Sequence, residues 1–225
     1  MNPTPKEDAV QDVETEGRTP RKRRAILAAA TEVFLQHGYL GASMDEVAAK
    51  AGVSKQTVYK QFENKERLFA EIVGGTSDQL MDGLQQAYDD TLDGAVDARE
   101  ALRALAYRLL QSLTADNVLQ LRRLVIAEAD RFPEVCGAWF TNGFEQSLDA
   151  LGKALTRLTE RGLLRQLDDP TLAAYQFAGL VMYKPMNRAM FAGTRQRPKP
   201  GELETLADQA ANVFLAAYGS ERPAS

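Results

Sequence analysis

Apolar residues recur along this chain at three- and four-residue intervals almost from end to end, the spacing of one face of an α-helix. Ile26, Ala29, Ala30, Val33 and Phe34 form the first stripe, opened by Thr19-Pro20 as N-cap and first helical position and ended by Gly38. Ser43 with Glu46 three residues on is a capping box. The helix it opens turns Val47, Ala48 and Ala51 inward, and Gly52 ends it in a left-handed conformation that only glycine adopts without steric cost. Val53 plugs the turn, and Ser54 caps a third helix with Val58 and Phe62 on one face. Asn64 caps a fourth, expected from Lys65 to about Asp89 with Gly74-Gly75 as a soft point inside it.

Leu102, Leu105, Leu109 and Leu113 give a fifth helix, and Val118, Leu121, Val125 and Glu128 a sixth that ends near Phe132. Pro133 opens the seventh, with the stripe Phe140, Phe144, Leu148, Leu151, Leu155 and Leu158 stopped by Gly162. Asp168-Asp169-Pro170 starts the eighth, in which Pro185 removes a backbone donor and should kink the helix by freeing the Val181 carbonyl. Arg195 to Gly201 reads as a loop, and Leu203, Leu206, Ala210, Val213, Phe214 and Ala217 mark the ninth. No alternating strand pattern and no Asn-Gly or Asp-Gly hairpin interrupts the series. The pattern predicts an all-α chain of about nine helices: an N-terminal three-helix helix-turn-helix domain and a C-terminal helical body.

The run from about Arg21 to Phe69 resembles the DNA-binding domain of the TetR family of bacterial repressors, because caps, turn glycine and aromatic positions agree together. Gln56 departs from it, since many members have glycine or another small residue there. The segment Arg123-Leu124-Val125-Ile126-Ala127-Glu128-Ala129-Asp130-Arg131-Phe132-Pro133-Glu134 is similar to part of the ligand-binding domains of the AefR-like branch. The resemblance implies a DNA-binding domain at about 19–66 and a ligand-sensing, dimerising domain at about 67–219. It also implies a homodimer formed through helices 8 and 9 of two subunits, in which ligand entry alters the separation of the recognition helices. Ser43, Thr57, Tyr59 and Lys65 are the positions it assigns to DNA phosphates.

Charge supports a nucleic-acid partner at one end only. The chain as a whole has a formal charge of −4, but residues 18–67 hold ten cations against five acids, which leaves −9 for the remainder of the chain beside a head of +5. Ser54, Lys55, Gln56, Thr57, Tyr59 and Lys60 form the polar and basic face of the third helix. In a major groove Gln pairs with adenine and Lys with guanine acceptors; Lys65 starts a helix, where the dipole also favours an anion. The bland alternative is a solvated polar face. Residues 1–18, with Pro3, Pro5 and many acids but few large hydrophobes, are expected to be disordered, and 220–225 to be a tail.

One cysteine, Cys136, permits no internal disulfide. Arg21-Lys22-Arg23-Arg24 before an alanine-rich stretch imitates a signal peptide, but Glu32 and Gln36 break the apolar region. No run approaches the ~18 apolar residues of a membrane span. A cytoplasmic protein with no membrane association is expected. A single His and a single Cys make no metal site of familiar spacing, and neither a glycine-rich phosphate loop nor a nucleophile elbow is present. No cofactor, metal or catalytic residue is expected.

Aromatic and Met side chains in the body are core first, yet in this number they can also enclose an adaptable apolar pocket. Leu109, Leu113, Leu121, Val125, Trp139, Phe140, Phe144, Tyr175, Met182, Tyr183 and Met186 are its candidate lining, for a small apolar or aromatic effector. Glu128 lies on the same stripe and either pairs with an arginine or faces the ligand. The expected function is a ligand-responsive repressor on a near-palindromic double-stranded operator. An activator or ligand-independent regulator is the alternative, and a helical carrier or enzyme a remote one.

Overall fold

A computed structural model describes residues 18–95, 97–192 and 198–220. The expected leader and tail lie outside the described residues except for Arg18 and Ser220, as does the middle of the loop before the last helix. Among the described residues there are nine helical rods: α1 (Arg18–Gly41), α2 (Met44–Ala51), α3 (Lys55–Phe62), α4 (Lys65–Gly94), α5 (Ala98–Leu113) and α6 (Asp116–Glu128), followed by α7, α8 and α9. The seventh, α7, begins at Pro133–Trp139, passes through a π-helical turn at Phe140–Glu145 and continues as Gln146–Glu160. After it come α8 (Pro170–Ala192) and α9 (Pro200–Tyr218).

The local signals act where expected at the head. Gly38 breaks α1 with φ 68°, and Gly52 ends α2 at φ 64°, ψ 33°. The hydroxyls of Ser43 and Ser54 accept from the N–H groups of Glu46 and Thr57, and Asn64 accepts from Arg67 N–H. Several boundaries differ. The fourth helix continues past Asp89 because Tyr88 and Leu92 extend its buried face, and Gly74-Gly75 do not interrupt it. The sixth stops at Glu128, where a turn carries the chain to Phe132. The first begins at Arg18, so Thr19-Pro20 lies inside it, and the ninth begins at Pro200, inside the expected loop.

Two apolar clusters organise the molecule. One contains Leu84, Tyr88 and Leu92 of α4 with the inner faces of α5, α7, α8 and α9. The other joins Ile26, Phe34, Val47, Val58 and Phe62 of the head to Leu121, Leu124 and Val125 of α6 and to Cys136 and Trp139 of α7. By packing, therefore, the division falls within α4 between Val73 and Leu84, and the α6–α7 corner sits with the head. Aromatic rings make that join: Tyr39 stacks on Phe34, and both Tyr39 and Phe69 meet Phe132, at centroid distances of 4.6 and 5.4 Å.

Candidate nucleic-acid interface

Val58 and Phe62 anchor α3 with no exposed surface, so the opposite side of this two-turn helix must face out. There Gln56 and Lys60 are exposed, and Tyr59 is 42% exposed. Ser54 and Thr57 share a hydroxyl contact of 2.8 Å at the helix start, which leaves Ser54 structural as well as exposed. Ser43 stands in the same situation at the start of α2.

The cations differ in what holds them. Lys55 reaches back to Asp45 on α2 at 2.7 Å and lies over the Tyr59 ring; the hydrogen bond it donates to Asp45 and then the charge of that carboxylate raise the lysine's pKa. Lys50 pairs with Glu32 at 2.6 Å. Lys60 makes no ion pair among the described residues and is the cation of α3 most readily offered to a ligand. Arg23 is held by Glu71 of α4 and lies over Phe62, which ties the start of α1 to the recognition unit.

Lys65 is a correction to the phosphate assignment. Its ammonium points into the head, donates to the carbonyl oxygens of Tyr39 at 2.8 Å and Ala42 at 2.9 Å, and sits 4.5 Å from the Tyr39 ring centroid. The end of α1 at Gly41 leaves those carbonyls without helical partners, and a lysine close in space satisfies them. His37, at the end of α1, lies 3.0 Å from a carboxylate oxygen of Glu46 on α2.

The expected effector pocket is not assembled as a single wall. Leu109, Leu113 and Met182 are buried in the body cluster, with Phe144 and Met186 packed against it, whereas Leu121, Val125 and Trp139 belong to the head-side cluster. Tyr175, Tyr183 and Phe140 are 43%, 76% and 46% exposed. The π turn accounts for Phe140, because its wider winding rotates the stripe of α7 before Leu148. Glu128 follows the bland alternative, pairing with Arg131 at 3.8 Å. Cys136 is buried and donates to the Val125 carbonyl at 3.4 Å; burial and then the charge of Glu128 push its pKa up.

Part of the ninth-helix stripe is not free for the interface that the resemblance implies for helices 8 and 9. Phe214 is 1% exposed and packs edge-on against Phe177 and stacked on Tyr218, and Ala210 is buried, so both serve the subunit's own core. What remains uncovered is Val213 and Ala217 on α9 and a stripe of Leu172, Tyr175, Leu180, Tyr183 and Phe191 on α8.

Comparison with known proteins agrees with this geometry. A family described as "AefR-like transcriptional repressor, C-terminal domain" matches residues 100–220, and "Bacterial regulatory proteins, tetR family" matches residues 26–72. The transcriptional activator FasR of Mycolicibacterium smegmatis is 40% identical over 89 residues, 39% of this chain and 41% of FasR, so well under half of that protein is spanned. A crystal structure of a TetR-family transcriptional regulator from Mesorhizobium loti is 45% identical, with a TM-score of 0.84 over 91% of this chain and all of that one. The flavonoid-responsive regulator FrrA is 27% identical, with a TM-score of 0.69 over 90% of this chain and all of that one.

Proposed function

Because this chain belongs to the TetR family of transcriptional regulators, we propose that it is a homodimeric repressor, released from a near-palindromic operator by a small molecule. The observation that carries the DNA reading is α3 itself: two fully buried anchors on one side, and Gln56, Tyr59 and Lys60 exposed on the other. Gln56 and Lys60 read base edges in the major groove; Ser43, Ser54, Thr57, Tyr59 and Lys55 contact phosphates and fix the register. Lys65 supports the corner beneath Ser43.

Dimerisation uses α8 and α9. An exposed apolar stripe of five large residues on α8, continued by Val213, supports a self-complementary interface rather than a solvated surface. Two heads then meet half-sites about 34–36 Å apart or a multiple of that spacing. The effector acts by preferring the dimer whose heads no longer match those half-sites. The protein would act in the cytoplasm, where the DNA is; among the described residues no helix is long and apolar enough to cross a membrane.

A second reading, an activator, is favoured by the likeness to FasR, although the repressor-type body match covers more of the chain. A gel shift on DNA upstream of the protein's own gene, paired with transcription from that promoter in vitro, tests both. Binding with reduced transcription supports repression, and binding with increased transcription supports activation. Gln56→Ala should relax base preference at one position of each half-site by about 1–3 kcal/mol. Unaltered sequence preference would remove α3 from the groove.

A further inference from the structure

The negative charge outside the head is not spread evenly. The seventeen residues before Arg18 hold five acids, Glu7, Asp8, Asp12, Glu14 and Glu16, against one lysine, a net −4. In the 158 residues from 68 to 225, twenty-one acids against sixteen cations leave only −5. Five acids within ten positions have the composition of an interaction tail, and they directly precede the one basic part of the chain.

The fold decides which cations are open to them. Arg21 and Lys22 are exposed at the start of α1, and neither makes an ion pair among the described residues. No acid stands in the first turn of α1, so the positive end of its dipole is not offset within the helix. Arg23 lies over the ring of Phe62, the last residue of α3, with its guanidinium 5.0 Å from the centroid. The leader therefore joins the fold beside the recognition helix, on which Lys60 is likewise exposed and without an ion pair among the described residues. Lys50, Lys55 and Lys65, by contrast, are held within the head. Length sets no bar: seventeen residues can span up to about 56–61 Å, and an eight-residue helix is only about 12 Å long.

We infer that residues 1–17 compete with DNA for the head: their carboxylates pair with Arg21, Lys22 and Lys60 in the free protein and are displaced by the operator. Covalent attachment gives the acids a high local concentration at these cations, so weak contacts suffice. Each exposed pair contributes little, so the leader tunes affinity several-fold and does not switch binding off. Any DNA must displace it in the same way. It therefore lowers specific and non-specific affinity by one factor and leaves base preference unaltered. As a regulator of DNA binding the leader rests on the reading of α3 given above.

The test uses the full-length protein with Glu7→Gln, Asp8→Asn, Asp12→Asn, Glu14→Gln and Glu16→Gln combined. At about 50 mM salt, fluorescence anisotropy should show operator and unrelated DNA each bound at least about three-fold more tightly, by the same factor. The gain should fade toward about 0.5 M salt as the screening length falls. No gain, or a gain confined to one of the two DNAs, would overturn the inference. A control neutralises five exposed acids of the body, Asp82, Asp90, Asp149, Glu160 and Asp168, in the same manner and should gain far less. An equal gain there would mean that total charge alone acts, and would overturn the contact. In a background of Arg21→Gln with Lys22→Gln, neutralising the leader should help less; an undiminished gain would overturn the pairing with those cations. A readout without DNA separates the two readings. A nitroxide on Val10→Cys, in a Cys136→Ala background, should broaden amide signals of α3 and of the start of α1 at low salt, and neutralising the acids should abolish that broadening. Broadening confined to other helices would overturn the inference. Broadening as expected in a protein that binds no DNA would keep the leader's contact and overturn the DNA reading alone.

Discussion

At residue scale, the head holds back part of its own charge. Asp45 neutralises Lys55 within the free protein, at the edge of the face assigned to DNA. Replacing Asp45 by Asn should therefore strengthen DNA binding at low salt by several-fold. It should also steepen the slope of log affinity against log salt by up to about 0.9, one further phosphate contact. Fluorescence anisotropy across a salt series reads both, and an unchanged slope would exclude Lys55 from the phosphates. In the body, Tyr88 is 1% exposed, and its hydroxyl is buried without a partner. Tyr88→Phe should be neutral or stabilising by up to about 1–2 kcal/mol in urea unfolding, since it removes an unsatisfied polar group of nearly the same volume. Burial pushes the Tyr88 pKa up. Its folded value lies above its unfolded value, so its contribution to stability is intact below about pH 10 and is lost as pH rises beyond it. The Phe variant should lose less stability than the native protein in that alkaline window.

At the scale of elements, the head depends on how its corners are closed. Gly52 ends α2 in the left-handed region, where a side chain would be strained, so Gly52→Ala should cost about 1–2 kcal/mol. Lys65→Ala should cost a similar ~1–3 kcal/mol by leaving the Tyr39 and Ala42 carbonyls unsatisfied. Thermal unfolding measured beside DNA affinity distinguishes the two possible roles of Lys65. A loss of affinity with no loss of stability would restore it to the phosphate backbone. The caps of α2, α3 and α4 were legible because each is set by contacts within three residues. The role of Lys65 was not, because its acceptors lie 26 and 23 positions upstream. The π turn in α7 was equally silent: one extra residue per turn leaves the apolar count intact and only changes which way Phe140 points.

At the scale of the whole molecule, exposure separates residues that looked alike in sequence. Phe214 and Tyr183 are both large aromatics on the last two helices, yet one is 1% and the other 76% exposed. Phe214→Ala should destabilise the subunit by about 3–5 kcal/mol as a core truncation. Tyr183→Glu should leave the fold intact, produce monomers in sedimentation and abolish operator binding. A Tyr183→Glu dimer of native affinity would move the interface away from α8. The same contrast explains the scattered effector pocket, whose candidate lining was gathered by residue type and turned out to serve two cores and one outer face.

By itself the sequence determined the all-helical class, the three-helix head, the turn between α2 and α3, and the polar face that α3 presents. Periodicity, caps and glycine conformations are local, and a basic head on an acidic body survives any folding of the chain. Only the tertiary structure decided which apolar stripes face inward and which stay open, because a stripe is hydrophobic in the same way whether a neighbouring helix or a second subunit covers it. It also decided the partners of charges. Lys65 finds two carbonyls, Glu128 finds Arg131 and Arg122 finds the Trp139 indole, and each outcome depends on helices brought together across the fold.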